Sequence, residues 1–192
     1  MALFFWFFLI AISLQRVSEL LIAKRNEKWM KNQGAYEVGM DHYKFIVAVH
    51  FFFFLSLIVE FHFFEKEISS FYPVLLLLFI LTQAIRIWAI CSLGKFWNTK
   101  ILILPYTESV IKGPYAFLKH PNYVVVALEI LLIPLLFNAY VTAIVFTILN
   151  IMVLSIRIPI EEKALLAASN YDIAFADQKR FFPKIAKKLR KY

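Results

Sequence analysis

Glycine is scarce in this 192-residue chain, with four residues, and proline is limited to seven. Loops therefore have little material to form from, and long helices are expected. Cysteine occurs once, at Cys91, which excludes an internal disulfide and any thiolate cage for a metal. The residue is expected to serve as a small buried apolar side chain. His42, His50 and His62 stand apart, without an H-x-x-x-H spacing or convergent carboxylates, so no metal site is expected.

What the chain does contain is hydrocarbon. Apolar residues make up 61% of it, including 21 Phe, and the mean hydropathy is +0.70. They arrive in blocks and not in the 3.6-residue stripe of an amphipathic surface helix. The composition is that of an integral membrane protein of one domain, residues 1–192. The net charge of +8 is concentrated in a tail holding Lys179, Arg180, Lys184, Lys187, Lys188, Arg190 and Lys191. Beside membrane spans such a cluster is read as attraction to anionic headgroups, about 1 kcal/mol per basic residue. The bilayer is thus the expected macroscopic partner, and nucleic acid is not.

Five apolar segments approach the length a bilayer core requires, roughly residues 2–23, 43–63, 71–93, 123–137 and 139–159. The fourth is short, and Asn138 leaves barely a turn before the fifth, so the two are expected to form a tight helical hairpin. The first lacks the basic flank of a signal peptide and is interrupted by Gln15 and Arg16, so it is read as a retained span. Basic residues follow spans one, three and five: Lys24, Arg25, Lys28 and Lys31, then Lys95, Lys100, Lys112 and Lys119, then the tail. The positive-inside rule then predicts an external N-terminus and a cytoplasmic C-terminus. The expected fold is all-α, with five transmembrane helices, a cytoplasmic loop between the third and fourth, and a C-terminal surface helix. Residues 1–64 form two N-terminal spans, and residues 71–192 hold the other three with the surface helix. Residues 26–41, with Gly34, Gly39 and an interfacial Trp29, are expected to be a connecting loop. Residues 162–178 read as a surface helix with Leu165, Leu166, Tyr171, Ile173 and Phe175 on its apolar side, ended by Phe181-Phe182-Pro183.

Two polar islands fall on the cytoplasmic side of this topology. In the first, Gly113-Pro114-Tyr115 precedes Lys119-His120-Pro121-Asn122-Tyr123. Pro121 suits the first turn of span four, which places Lys119 and His120 at a helix N-terminus that favours an anion. Tyr115 and Tyr123 can stack on or hydrogen-bond to a ligand; the plainer alternative is a loop whose basic residues meet headgroups. In the second island, Arg157 and Glu161 share a helical face if the helix runs through Pro159, and Glu162 adjoins them. Pro159 is expected to kink or restart that helix. Arg157 is placed to hold an anionic acceptor, with a simple Arg157–Glu161 salt bridge as the alternative. Within the spans, Arg16 and Glu19 can pair with each other, and Arg86 and Glu129 lie nearby in sequence depth. These four are candidates for substrate recognition or for interhelical glue.

Taken in order, Leu93-Gly94-Lys95-Phe96-Trp97, Gly113-Pro114-Tyr115, Lys119-His120-Pro121-Asn122-Tyr123, Glu129, and Arg157 with Glu161-Glu162 resemble the isoprenylcysteine carboxyl methyltransferase family over the C-terminal 110 residues or so. The resemblance implies an integral membrane methyltransferase that uses S-adenosylmethionine without a Rossmann domain. It implies cofactor binding by Gly113, Tyr115, Lys119, His120, Pro121, Tyr123 and Glu162, and catalytic roles for Arg157 and Glu161. Two positions depart from the family pattern: Lys119 replaces an arginine, losing its bidentate fork, and Ser169-Asn170 replaces a Phe-Gly pair. Gln15-Arg16-x-x-Glu19-Leu20 and Asp41-His42-Tyr43 look like a bacterial branch that accompanies type III polyketide synthases. That likeness implies a lipophilic small-molecule acceptor such as an alkylpyrone, methylated on a pyrone enol or carboxylate oxygen, and a synthase as partner. An isoprenylcysteine-type carboxyl acceptor, an NADPH-dependent membrane reductase of the sterol type, and a non-enzymatic transporter or scaffold are the rival readings. Oligomeric state has no signature in the sequence.

Overall fold

Inside a bilayer an apolar chain must close its own backbone hydrogen bonds, and a helix does so within each segment. The computed structural model describes residues 2–176 and 178–181. Its helices are α1 (Ala2–Asn32), α2 (Met40–Phe63), α3 (Tyr72–Leu93), α4 (Pro121–Leu136), α5 (Tyr140–Ala168) and the short α6 (Tyr171–Ala174). Four of them, α1, α2, α3 and α5, are long and apolar enough to cross a membrane. The fourth segment is the exception: α4 has 16 residues, or about 24 Å of rise against a hydrocarbon core of about 30 Å. Large apolar side chains such as Phe51, Leu77, Val141 and Ile148 point outward from these helices, as lipid-facing surfaces require.

One end of the bundle is closed by aromatic rings. Phe5 stacks on Phe61 with centroids 3.9 Å apart and meets Phe137 edge-on at 4.9 Å. Phe8 packs on Phe79, and Leu57, Ile133 and Leu136 fill the space between. The α4–α5 hairpin turns here through Phe137–Ala139, with Asn138 in a left-handed conformation. Glu60 of α2 caps the incoming α5: its carboxylate accepts the amides of Val141 (3.1 Å) and Thr142 (2.7 Å) and the Thr142 hydroxyl (2.7 Å). An anion at a helix N-terminus meets both unpaired amides and the favourable end of the dipole. This explains a buried glutamate that makes no ion pair among the described residues.

The other end departs from expectation in four ways. First, α1 continues to Asn32, so Trp29 is helical and not in a loop. The extension is held because Asn26 donates to the carbonyls of Gly94 (3.1 Å) and Trp97 (2.8 Å), while Asn98 donates to Ala23 (2.9 Å). Second, β1 (Tyr36–Val38) and β2 (Ile101–Ile103) pair antiparallel, so the fold is not purely helical. Their alternation is too short to register in an apolar background. Third, α5 runs through Pro159 to Ala168, and the expected surface helix over residues 162–178 is reduced to α6. Proline removes one ladder bond, but side-chain bonds from Arg157 and Glu161 anchor the helix on both sides of it. Fourth, Cys91 is exposed on α3, not buried. Phe182-Pro183 and the basic tail from Lys184 onward lie outside the described residues.

Candidate active site

The central island is shaped by its glycine and prolines. Gly113 opens a tight turn over Gly113–Ala116 at φ 57°, a conformation that L side chains rarely adopt. A Cβ there would sit 2.0 Å from Ser92 Oγ, so only glycine lets the turn lie against α3. Pro121 begins α4, where its missing N–H costs nothing. His120, just before it, makes no capping bond and is 5% exposed, which leaves its ring free to reach α5.

The two islands meet there. His120 Nε2 donates to Glu162 Oε1 at 3.0 Å, and its ring stacks beside that of Tyr123, 5.3 Å away. Arg180, from the described part of the basic cluster, also donates to Glu162. The Tyr123 hydroxyl accepts from Arg157 Nε at 2.7 Å and donates to Glu161 Oε2. No direct Arg157–Glu161 salt bridge forms among the described residues; the phenol stands between them. Arg157 is fixed further by donating from Nη2 to the Thr99 carbonyl at 2.6 Å. Its Nη1 has no partner among the described residues and remains available to an anion.

Around these groups lies a cavity of about 420 Å³, within the range of small-molecule sites. Its wall beside the Gly113–Ala116 turn includes Tyr115, Lys119, His120, Tyr171 and Phe175. Burial raises the pKa of Tyr115 and of Tyr171, reinforced by Glu161 at the first and by Glu162 and Glu161 at the second. Both therefore stay neutral phenols. The Lys119 ammonium sits 5.6 Å over the Tyr171 ring. Asn122 Oδ1 and the Tyr171 hydroxyl are buried without a partner among the described residues, although both residues line the cavity. Buried polar atoms in that state want a ligand or an ordered water. The β2 strand, from Ile101 to Ile103, forms another wall.

The cavity also reaches down to the intramembrane charges. Arg86 binds Glu19 at 2.5 and 2.6 Å and Glu129 at 2.9 Å. Arg16 closes the ring with bonds of 2.7 Å to each of the same two carboxylates. Gln15 and Gln83 link the rest. Two cations and two anions from α1, α3 and α4 thus neutralise one another, which makes burial of four charges tolerable. The four charges tie α1, α3 and α4 together, and Arg16, Glu19 and Arg86 also line the cavity; Glu129 sits behind them.

Of the residues singled out from the sequence, Tyr115, Lys119, His120, Tyr123, Arg157 and Glu161 come together on this cavity. Gly113, Pro121 and Glu162 do not line it; they shape the turn, start α4 and hold His120. His50, Thr99, Asn122 and Asn150 are lining residues that the motif reading passed over. The signal available for His50 and Asn150 was their polarity inside apolar runs.

A helical bundle of membrane-spanning length, hollowed at one end by a largely apolar chamber with polar groups set into it, marks this chain as an integral membrane protein. The family model that matches residues 74–167 is that of the isoprenylcysteine carboxyl methyltransferase (ICMT) family. An uncharacterized protein of Bacillus subtilis (strain 168), YpbQ, is 50% identical over 161 residues, covering 84% of this chain and 96% of that one. An uncharacterized protein of Haemophilus influenzae is 27% identical over 151 residues, 78% of this chain and 88% of its own. The match to the isoprenylcysteine carboxyl methyltransferase family thus spans 94 of the chain's 192 residues, from α3 into α5.

Proposed function

We propose that this chain uses S-adenosylmethionine to methylate an acidic oxygen on a lipophilic acceptor. The observation that carries the reading is the single cavity in which an aromatic end beside the Gly113–Ala116 turn leads past Arg157 to an end set among the paired charges of α1, α3 and α4. The residues present fit the cofactor. Tyr115, Tyr171 and Phe175 offer ring faces to an adenine and to a cationic sulfonium, and the unpartnered Tyr171 hydroxyl and Asn122 Oδ1 offer hydrogen bonds. When bound, the cofactor supplies an electrophilic methyl group.

The chain's own task is then orientation. Arg157 holds the acceptor oxygen through its unused Nη1, while Tyr123 and Thr99 fix the plane of the guanidinium. Glu161 accepts from Tyr123 and so keeps that hydroxyl's lone pair directed at Arg157. A carboxylate is already ionised at neutral pH, so no general base is demanded of the protein. Apolar walls at Val153 and Leu154 exclude water from the reacting groups.

The match to the isoprenylcysteine carboxyl methyltransferase family favours a carboxylate as the acceptor group, and an alkylpyrone enol has the same anionic chemistry. Both are offered to the purified protein in the test. Calorimetric titration of S-adenosylmethionine on the parent and on His120→Ala comes first. Binding by the parent with at least tenfold loss in the variant supports the reading. No binding by the parent favours a transporter or scaffold, and binding of NADPH instead favours a reductase. We further propose residence in the cell membrane with the chamber on the cytoplasmic side. Impermeant thiol labelling of single cysteines placed in a Cys91→Ser background checks it, and labelling of residues 112–119 from outside the cell would refute it.

A further inference from the structure

We propose that the acceptor is bipolar: besides the anionic oxygen held at Arg157, it carries an uncharged hydroxyl that binds Asn150 and His50 at the membrane-embedded end of the cavity. The inference rests on the methyltransferase reading and names the class of acceptor. Asn150 is 4% exposed, lines the cavity, and its amide has no hydrogen-bond partner among the described residues. A primary amide so placed within a membrane helix is costly unless a ligand or water meets it. His50 faces the same space from α2. Its Nδ1 lies 2.8 Å from the Ile46 carbonyl, which can only accept, so Nδ1 carries the proton and Nε2 presents a lone pair.

A donor amide opposite a bare ring nitrogen is complementary to a hydroxyl, which accepts from the first and donates to the second. Charge argues for a neutral group. The adjoining Arg16, Glu19, Arg86 and Glu129 ring is balanced and internally paired, leaving no net charge to attract an ion. Position sets the spacing. Asn150 precedes Arg157 by two helical turns on one face of α5, about 10 Å deeper along its axis. The apolar side chains of Val153 and Leu154 lie between. The acceptor is therefore an amphiphile with an acidic head, a short apolar stretch, and a hydroxyl about 10 Å from the head. A tail of pure hydrocarbon would leave both polar side chains unmet.

The test compares octadecanoate with octadecanoate hydroxylated at mid-chain. Both are titrated calorimetrically into the purified full-length protein in lipid nanodiscs without cofactor. The hydroxylated acid is expected to bind about tenfold more tightly, the effect of one net hydrogen bond or slightly more. That preference is expected to vanish in Asn150→Leu and in His50→Phe. Asn150→Leu removes an unpartnered polar group, so its melting temperature should not fall below the parent's, which separates lost recognition from lost folding. Equal or weaker binding of the hydroxylated acid to the parent would show that water serves these side chains and would overturn the proposal. So would a preference that persists in both variants, or failure of the parent to bind either acid. Titration with S-adenosylmethionine on the same samples reports separately on the methyltransferase reading.

Discussion

The two ends of the bundle solve opposite problems with similar residues. At the closed end the buried carboxylate is met: Glu60 takes three hydrogen bonds from the start of α5, and Ser56 donates to Thr142 at 2.8 Å. That leaves Thr147 Oγ1 as the one buried polar side-chain atom on that stretch of α5 without a partner among the described residues. Rings stack in contact at this end. At the chambered end, Trp97 Nε1, Asn122 Oδ1 and the Tyr171 hydroxyl are buried without partners among the described residues, and all three residues line the cavity. Among the described residues, unmet hydrogen-bonding capacity is thus concentrated at the chambered end, where the proposed ligand would bind. Stability and chemistry are therefore separable by mutation in this fold.

The largest expected effect is on the closed end. Phe5→Ala removes a fully buried ring and should cost about 3–5 kcal/mol of stability, read by denaturant unfolding in detergent micelles, with cofactor affinity of the folded fraction unchanged. A matching loss of affinity would erase the separation. Next, Arg157→Ala should lower methyl transfer by on the order of 10²-fold, measured at saturating acceptor and cofactor; near-normal turnover would remove Arg157 from its role. Glu60→Ala uncaps α5 and strands two amides, at about 2 kcal/mol, again with turnover of the folded protein retained. Smallest is Tyr123→Phe, which deletes one hydroxyl between Arg157 and Glu161. Turnover should drop about tenfold, mostly in kcat, while the melting temperature stays within a few degrees.

Hydropathy made the spans legible because lipid-facing surfaces such as Phe51 and Ile148 carry no other information. The glycine and prolines of the central island also announced its turn, since Gly113 and Pro121 each occupy a position that few other residues tolerate. Pairing across helices was not legible. Nothing near Tyr123 shows that its hydroxyl will stand between two side chains from α5. Pro159 was read as a break by local rules, whereas tertiary bonds on both sides of it decide the outcome. Asn26 and Asn98 looked like ordinary loop residues, and only the carbonyls they reach explain why α1 extends to Asn32. His50 and Asn150 carried a faint signal, as uncharged polar residues in otherwise apolar runs, but no spacing ties them together.

The β1–β2 ribbon that walls the chamber is fastened by Lys100 and Lys31, which share Glu27 and Glu37. Unlike the ring of charges within the bundle, these four residues sit where dissolved ions reach them. Rising ionic strength will thus slacken the ribbon while leaving the helices as they are. In the proposed methyltransferase, the residence time of S-adenosylmethionine should therefore shorten in concentrated salt, as the wall that encloses it loosens.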